Sequence, residues 1–505
     1  MFKFFVEKLP LNTGTYYDGP QKFVREPKMF IDEPTPFINE FVEELDKSLR
    51  TLEPTAGLTH IQRKWLAFCL LAILVTNSVC WAKFERASLG SYTLASLSWM
   101  FRRANLNWDR LLSASIKVIL WRYSITQGVL ALDDSDKKRA KRTKRIYRTQ
   151  KLKDKKTGGY LNGQSLVVLV LVTPVVTIPV GFGFYQTDPA LTAWYQSEKK
   201  LKKEGVAKKN RPPQPEKNKD YPSKQELALQ LLEKFKTDHP LIKIKAVLAD
   251  ALYGTEEFMN RTAALFDQTQ VISQLRSNQL VRAKNKKVSL DDYFASQPAC
   301  TRTVSLRGQE KLITFAAARL YVYAHHQKRV VMALKYDGET EYRYLVASNL
   351  SWRVLDVLEV YGLRWLVEVF FQDWKSYEGW GQLTKQPDEE GSSRSLILSL
   401  LLDHSLLFHH EQLARLENKL PAATVGSLHE KIKAENLLQF IQGLLSDTDP
   451  EEKLKRLSQA IAKAFQLAPS KKHMVQQEVV CFKPDFGDFA QYLLLAPPLY
   501  SQQKT

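Results

Sequence analysis

The sequence is poor in cysteine and has no secretion signal. Its four cysteines, Cys69, Cys80, Cys300 and Cys481, are scattered along 505 residues. Their spacing matches neither a zinc site nor a disulfide framework, which fits a chain that folds in a reducing cytosol. The first residues, MFKFFVEKLPLNTG, lack the apolar segment of a signal peptide. We therefore expect a cytoplasmic protein without structural disulfides.

Negative charge is also scarce, because 54 Asp and Glu residues face 73 Lys and Arg residues and give a formal net charge of +19. The 44% of hydrophobic residues excludes a disordered chain, and the length suffices for roughly two to four domains. The excess of positive charge favours a polyanionic partner. No basic amphipathic anchor accompanies it, so nucleic acid is favoured over a membrane surface.

One apolar run, residues 166–185, is long enough to suggest a membrane span. It reads LVVLVLVTPVVTIPVGFGFY, is rich in valine, and is interrupted by Thr173, Pro174, Pro179 and Gly181. Valine-rich runs bounded by proline are typical of buried strands. The run therefore predicts two strands joined by a proline turn, and we expect no membrane association.

Patterns along the chain divide it into regions. Helical periodicity predicts a helical N-terminal DNA-binding module at residues 1–124, in which SYTLASLSWMFRRANLNWDRLL fits either a helix-turn-helix that presents Arg102 and Arg103 or an ordinary helix pair. A basic run at 137–156 fits a loop or hairpin near phosphates, or a loop without specific contacts. Residues 197–221, rich in lysine and proline, read as an exposed insertion.

The second half of the chain turns from strands to helices. Alternating residues around Asp337-Gly338 indicate a hairpin within a β-rich stretch, residues 270–347. Residues 391–505 read as a helical C-terminal region. Its leucine-rich helices suit either dimerisation or an intramolecular core.

Four polar residues lie at regular intervals in the aromatic segment YGLRWLVEVFFQDWK. Tyr361, Arg364, Glu368 and Lys375 are spaced by 3, 4 and 7 residues, which predicts one face of a single helix. A charged stripe on an apolar helix indicates a functional site, since unpaired charges are costly in a core. The alternative is a solvated salt bridge between Arg364 and Glu368.

Two further acids follow apolar strands. VLALDD ends in Asp133, with Asp134 and Asp136 as alternatives, and IKIKAVLAD ends in Asp250. Acids at the carboxyl ends of strands meet at one edge of an α/β sheet. Asp133, Asp250 and Glu368 together would repel each other unless cations join them, and hard oxygen ligands suit two Mg²⁺ or Mn²⁺ ions.

With these motifs the chain resembles the DDE transposases of the insertion-sequence 4 superfamily, the bacterial cut-and-paste transposases. Y-x2-R-x3-E-x6-K, the signature of that superfamily, is matched at all four positions, and LALDDSD and VLADALYGT resemble its first-acid and second-acid motifs. The resemblance covers about residues 129–390.

The resemblance implies an α/β fold. An RNase H-like catalytic core at 125–269 and 348–390 would contain an inserted β-rich domain at 270–347, with helical N- and C-terminal regions on either side. It implies that Asp133, Asp250 and Glu368 hold two Mg²⁺ or Mn²⁺ ions. It also implies that Tyr361, Arg364 and Lys375 contact phosphates near the transposon end.

The implied function is DNA transposition in a bacterial cytoplasm, with the protein on the nucleoid when bound. A homodimer would bind terminal inverted repeats, cleave DNA, and join the freed 3′-OH ends to target DNA, with a hairpin as the implied intermediate. Two alternatives are a domesticated DNA-binding protein without catalysis and a host nuclease of RNase H fold.

Aromatic and histidine residues carry weaker expectations. The tryptophan that stacks on a flipped base in this superfamily has no counterpart in residues 301–351. The candidates to replace it, each of which also suits a core position, are Tyr321, Tyr323, Tyr342 and Tyr344. The pairs His325-His326 and His409-His410 lack zinc-site spacing and are expected at the surface, whereas Trp365 is expected in the core.

Overall fold

A computed structural model describes residues 35–139, 143, 146–154, 157–306, 309–382, 387–412 and 425–465. The first 34 residues of the predicted N-terminal module, residues 466–505 of the predicted C-terminal region and several positions of the basic run 137–156 lie outside these residues. Within them the protein is a mixed α/β molecule with one large sheet and many helices.

Helices fill the N-terminal part of the described chain, as the periodicity predicted. They are α1 (Pro36–Leu52), α2 (His60–Thr76), α3 (Trp81–Ala87), α4 (Leu94–Arg102) and α5 (Trp108–Arg122). Thr59 begins α2 with a capping box, because its hydroxyl accepts the Gln62 N–H while the Gln62 side chain accepts the Thr59 N–H. The segment proposed as a helix-turn-helix contains α4 and the start of α5, and its contact with DNA stays a prediction.

One mixed sheet contains every strand of the described residues. The strands are β1 (Gln127–Lys138), β2 (Gln150–Lys153), β3 (Tyr160–Val172), β4 (Thr177–Tyr185), β5 (Lys243–Leu248), β6 (Gln270–Leu275), β7 (Leu280–Ala283), β8 (Lys286–Ser289), β9 (Cys300–Leu306), β10 (Gln309–Val322), β11 (Gln327–Tyr336) and β12 (Arg343–Ala347). Their order is β2-β3-β1-β5-β6-β12-β11-β10-β7-β8, with β4 beside β3 and β9 beside β10.

The direction of the strands changes along this order. β4, β3 and β1 form an antiparallel meander, and β5 and β6 then run parallel to β1. Beyond β6 the pairing is antiparallel again, through β12, β11 and β10. The hairpin predicted at Asp337-Gly338 is confirmed, with Gly338 at φ +82° between β11 and β12.

The long apolar run at 166–185 is confirmed as two strands. It contains most of β3 and all of β4, and Pro174 lies in the turn between them. The Thr173 hydroxyl accepts the N–H groups of Val175 and Val176, which closes this turn.

Among the described residues no single helix is long and apolar enough to cross a membrane. Helices α2 and α3 meet that criterion only as a pair, and they join at a 90° bend.

The remaining helices connect and flank the strands. They are α6 (Pro189–Lys203), α7 (Lys224–Asp238), α8 (Glu256–Leu265), α9 (Leu290–Ala295), α10 (Val354–Gly362), α11 (Trp365–Tyr377), α12 (Asp388–Leu406), α13 (Val425–Leu445) and α14 (Pro450–Ala464). Helix α7 packs against β3 and β4, where Gly181 and Gly183 leave room for Leu231 and Leu227.

Two details of the predicted elements were wrong. Strand β1 continues past Asp133 to Lys138, because β3 pairs with it as far as Lys138. The single helix expected to carry the four polar residues is two helices, α10 and α11. They break where Leu363 and Arg364 make tighter bonds to the carbonyls three residues earlier, after Gly362, a poor helix former.

The burial of several side chains was also mispredicted. His325 and His409 are buried, while His326 and His410 are exposed. The Gly254 carbonyl lies 3.0 Å from His325 Nε2 and gives the buried ring a hydrogen-bonding partner. Trp365 is 42% exposed. The core face of α11 instead carries residues at helical spacing, namely Val367, Phe370, Phe371 and Trp374.

A buried histidine ties the helices to the sheet. His404 of α12 places Nδ1 2.7 Å from the Ser115 hydroxyl of α5 and Nε2 3.0 Å from the Pro179 carbonyl of β4. Burial lowers the pKa of His404 to about 4. The folded protein therefore keeps this imidazole neutral.

His404 should make folding sensitive to acid. Its folded pKa lies below the unfolded value of about 6.5, so the unfolded state binds more protons between these values and stability falls as the pH drops from 6.5 to 4. The contribution is about 3 kcal/mol. In urea unfolding across this range, His404→Gln should flatten the loss of stability. The exposed His60→Gln should not, and an unchanged slope in His404→Gln would contradict this role.

Candidate functional site

Two of the predicted acids lie just beyond the point where the parallel pairing of β1 with β5 ends. The last parallel pair of β1 and β5 joins Ala131 to Leu248, so Asp133 and Asp250 each follow it by two residues. The Asp250 carboxylate accepts the Leu252 N–H at 2.8 Å, and the Ser273 hydroxyl donates to the Asp250 carbonyl at 2.6 Å. The sheet thus fixes both acids at one edge.

A third carboxylate joins them. One carboxylate oxygen from each of Asp133, Asp134 and Asp250 lies within 4.8 Å of the others, and we call these three residues the acid cluster. Successive strand residues normally point to opposite faces. Here the Asp134 N–H donates to Asp133 Oδ1 at 2.8 Å, which holds the two neighbouring acids together.

Two cations pair with residues of the acid cluster. Arg364 Nη1 lies 2.7 Å from Asp133 Oδ2, and Lys224 Nζ lies 2.6 Å from Asp134 Oδ2. Burial raises the pKa of Asp133 to about 6, the guanidinium of Arg364 opposes this rise, and Glu368 and Asp250 add to it. Burial also raises the pKa of Asp250. The acids therefore destabilise each other's charged forms.

Glu368 stands apart from the acid cluster. Its side chain is 42% exposed, and its Oε1 lies 3.8 Å from Arg364 Nη2. Arg364 therefore contacts both Asp133 and Glu368. The expected solvated salt bridge between Arg364 and Glu368 is thus only part of the arrangement, because Arg364 makes its shorter contact with Asp133.

Helix α11 is anchored by its opposite face. Trp374 is fully buried, stacks on Trp380 with ring centroids 4.7 Å apart, and donates to the Ser399 hydroxyl at 2.7 Å. This packing holds the Arg364 and Glu368 end of the helix over the edge of the sheet.

The other two residues of the signature lie around this centre. The Tyr361 hydroxyl accepts the Gln274 side-chain N–H at 2.7 Å, and burial raises the pKa of Tyr361. Lys375 lies over the Phe371 ring, 5.4 Å from its centroid.

Lys137, four residues beyond Asp133, donates to the Gly381 carbonyl. Burial, Arg139 and Lys375 together lower the pKa of Lys137 to about 8. Lys137 and Lys375 thus lie near each other.

The four candidate tyrosines differ in their surroundings. Tyr344 is buried and donates to Asp291 at 2.5 Å. Tyr342 is half-buried beside Lys335. Tyr321 and Tyr323 are half-buried, with Arg282 4.3 Å from the first ring centroid and Lys287 4.6 Å from the second.

Sequence reasoning missed three residues that support the site: Lys224, Gln274 and Lys137. Only Lys224 had a local signal, since Ser223 and Glu226 form a capping box that places it in the first turn of α7. Asp134 was weighed only as a substitute for Asp133, whereas the structure brings both into the acid cluster.

The donor set of the acid cluster fits a divalent cation. Carboxylate oxygens are hard ligands that Mg²⁺ and Mn²⁺ prefer, and a dication would favour the charged form of Asp133, whose pKa is raised by burial and further by Glu368 and Asp250. Asp133, Asp134 and Asp250 are the residues placed to hold it.

Comparison with known proteins gives one positive finding. A family model described as DDE superfamily endonuclease matches residues 57–311, about half of the chain, a span that contains the acid cluster and stops before Glu368. No curated protein matches the chain.

Arg364 should compete with a cation for the acid cluster. A unit charge about 4 Å away costs up to about 4 kcal/mol at an effective dielectric constant of 20, and solvent screening reduces this figure. We expect Arg364→Gln to bind Mn²⁺ roughly tenfold more tightly in the absence of DNA, as measured by electron paramagnetic resonance. The titration is made at pH 8.5, because removing Arg364 raises the pKa of Asp133 further.

The matched control is Arg353→Gln, which removes an exposed cation that pairs with Asp356 on α10. Its Mn²⁺ affinity should equal that of the wild type. Unchanged or weaker binding in Arg364→Gln would show that the guanidinium does not occupy the position of a cation.

Proposed function

The chain belongs to the DDE superfamily endonucleases, and from that membership we propose that it is a DNA transposase of the insertion-sequence 4 superfamily. One observation carries the proposal. Three carboxylates approach within 4.8 Å at the edge of a sheet, in a protein with a net charge of +19. Such an acid cluster suits metal-dependent phosphodiester chemistry, and the charge suits DNA.

The strand order supports an RNase H-like core at 125–269 and 348–390. Three antiparallel strands, β4, β3 and β1, adjoin the parallel strand β5, and α7 lies in the connection from β4 to β5. The strands from 270 to 347 then separate the second acid from the third in the sequence. They would form the inserted β-rich region of this superfamily.

In the proposed reaction, two Mg²⁺ or Mn²⁺ ions would activate the attacking oxygen and stabilise the leaving oxygen. Asp133 and Asp250 would hold them, and Glu368 would complete the set. Asp134 is a further oxygen ligand within reach. Lys224 pairs with the Asp134 carboxylate and balances its charge.

Three side chains of the signature would hold the DNA strand. Arg364 would exchange its carboxylate partners for a phosphate, which a guanidinium binds through two parallel hydrogen bonds. The Tyr361 oxygen already accepts the Gln274 N–H, so its own hydrogen can be donated to a phosphate oxygen. Lys375, which lies near Lys137, would bind a further phosphate of the same strand at the other end of α11.

The full reaction would proceed on paired DNA ends in a bacterial cytoplasm. The N-terminal module, residues 1–124, would bind the terminal inverted repeats. Hydrolysis of one strand would free a 3′-OH, which would attack the opposite strand, close a hairpin on the transposon end and release the flanking DNA. Water would then open the hairpin, and the regenerated 3′-OH would attack a phosphate of the target DNA, displacing a 3′-OH of the target strand. A homodimer would pair two ends, and exposed apolar residues on α13 and α14, among them Leu438, Leu445 and Ile461, support a contact through the region 391–505.

A host nuclease of RNase H fold is the second candidate. Family membership and the acid cluster suit it equally, since neither feature specifies end recognition or strand transfer. It differs from a transposase in predicting cleavage without preference for terminal repeats.

The test is cleavage of a labelled duplex that carries the inverted repeat flanking the gene, with Mg²⁺ or with EDTA. We expect metal-dependent nicking at the repeat boundary, reduced roughly a thousandfold in Glu368→Gln, a loss of about 4 kcal/mol of transition-state stabilisation. Glu359→Gln, which changes an exposed carboxylate on α10, is the matched control and should cleave like the wild type.

The alternatives give distinct results in the same assay. Equal cleavage of repeat and scrambled duplexes, without strand transfer, would favour the host nuclease. Binding without cleavage, in wild type and mutant alike, would favour a domesticated DNA-binding protein.

A further inference from the structure

A lysine-rich segment connects β4 to α7. This lysine arm, residues 186–223, contains eight lysines and one arginine against five acids. Its helix α6 is fifteen residues long and has no buried residue. An isolated helix of this length is marginal in water. Burial of apolar side chains therefore does not stabilise α6, whose side chains face solvent.

The lysine arm nevertheless has a fixed shape. The Trp194 indole N–H donates to the Pro212 carbonyl at 2.9 Å, which joins α6 to the returning chain. Arg211 donates to Glu198 at 2.7 Å and to the Val206 carbonyl at 2.8 Å. These contacts fold the arm back on itself, so its charges are held in a defined arrangement.

Both ends of the lysine arm lie beside the acid cluster. The chain leaves the sheet after Tyr185 and returns at Lys224, whose Nζ lies 5.2 Å from the centroid of the Tyr185 ring. The same Nζ lies 2.6 Å from Asp134. Arg148 also donates to the Asp220 carbonyl at 2.6 Å, which fastens the returning chain to the segment before β2. The lysine arm therefore begins and ends beside the acid cluster.

The charges of the lysine arm are not balanced within it. Glu198 pairs with Arg211, Glu204 lies near Lys200, and Lys217 pairs with Glu226. Six exposed lysines have no salt bridge within the described part of the chain: Lys199, Lys202, Lys203, Lys208, Lys209 and Lys219. Lys199, Lys202 and Lys203 are three and four residues apart on α6, and like charges at this spacing destabilise a helix. A polyanion would relieve that repulsion.

We propose that the lysine arm binds the phosphate backbone of duplex DNA next to the acid cluster, without reading its sequence. Lysine ammonium groups are flexible point charges, unlike the planar fork with which arginine reads guanine. Phosphate contacts set the position of the DNA but carry no direct sequence information. The inference rests on the DNA-cleaving function proposed above and adds to it the surface that holds the duplex beside the cut.

The test compares the wild type with the triple variant Lys199→Gln, Lys202→Gln, Lys203→Gln. Binding to two short duplexes of unrelated sequence is measured by fluorescence anisotropy in EDTA over a range of salt concentrations. Each lost phosphate contact lowers the slope of log affinity against log salt by about 0.9, so the slope should flatten by roughly two to three. The loss should be equal on both duplexes. Glutamine is a good helix former, and circular dichroism checks that α6 persists.

The matched control is Lys243→Gln, Lys245→Gln, Lys455→Gln, which removes the same charge from exposed positions at the amino end of β5 and on α14. Its salt slope should equal that of the wild type. Equal slopes in all three proteins would overturn the role of the arm while leaving the proposed function intact.

Other outcomes are equally decisive. A loss confined to one of the two duplexes would overturn backbone binding in favour of sequence recognition. Loss of binding to phosphatidylserine vesicles, with DNA binding unchanged, would assign the arm to a membrane surface. A wild type that binds neither duplex would overturn the proposed function, and the arm proposal with it.

Discussion

The close approach of three carboxylates just beyond the parallel pairing of β1 and β5 is the constraint on which the rest of the site depends. Parallel pairing ends at Ala131 and Leu248, and this fixes where Asp133 and Asp250 emerge. Burial raises the pKa of Asp133 and of Asp250, and neighbouring carboxylates raise both further, so the charged forms need positive charge beside them. Arg364 and Lys224 supply it in the protein alone, and a divalent cation would supply it during catalysis.

Two cations contact the acid cluster: Arg364, just before α11, pairs with Asp133, and Lys224 of α7 pairs with Asp134. Lys137 of β1 and Lys375 of α11 lie near each other, and the lysine arm begins and ends beside Lys224. Carboxylates placed to hold a cation, with lysine and arginine beside them, suit a polyanion that would bring phosphates to the metal. The family membership and the charge of the chain point to the same substrate by independent routes.

The sequence predicted the features that depend on local patterns. Residues 166–185 form two strands because valine-rich segments and proline specify them locally. The apolar segments that precede Asp133 and Asp250 are likewise strands, as their patterns predict. The sequence did not predict the contacts that depend on tertiary packing. Asp134 joining the acid cluster and Arg364 reaching Asp133 depend on residues far apart in sequence, and so do the burial of His325 and the exposure of Trp365.

The central claim is that the acid cluster is a divalent-cation site in which Arg364 holds the place of the ion. Anomalous diffraction from crystals grown with Mn²⁺ would test it most directly. The account predicts a peak between the carboxylates of Asp133 and Asp250, with the Arg364 guanidinium withdrawn from Asp133. A structure containing Mn²⁺ elsewhere, with no peak at the acid cluster and the Arg364–Asp133 pair intact, would contradict it.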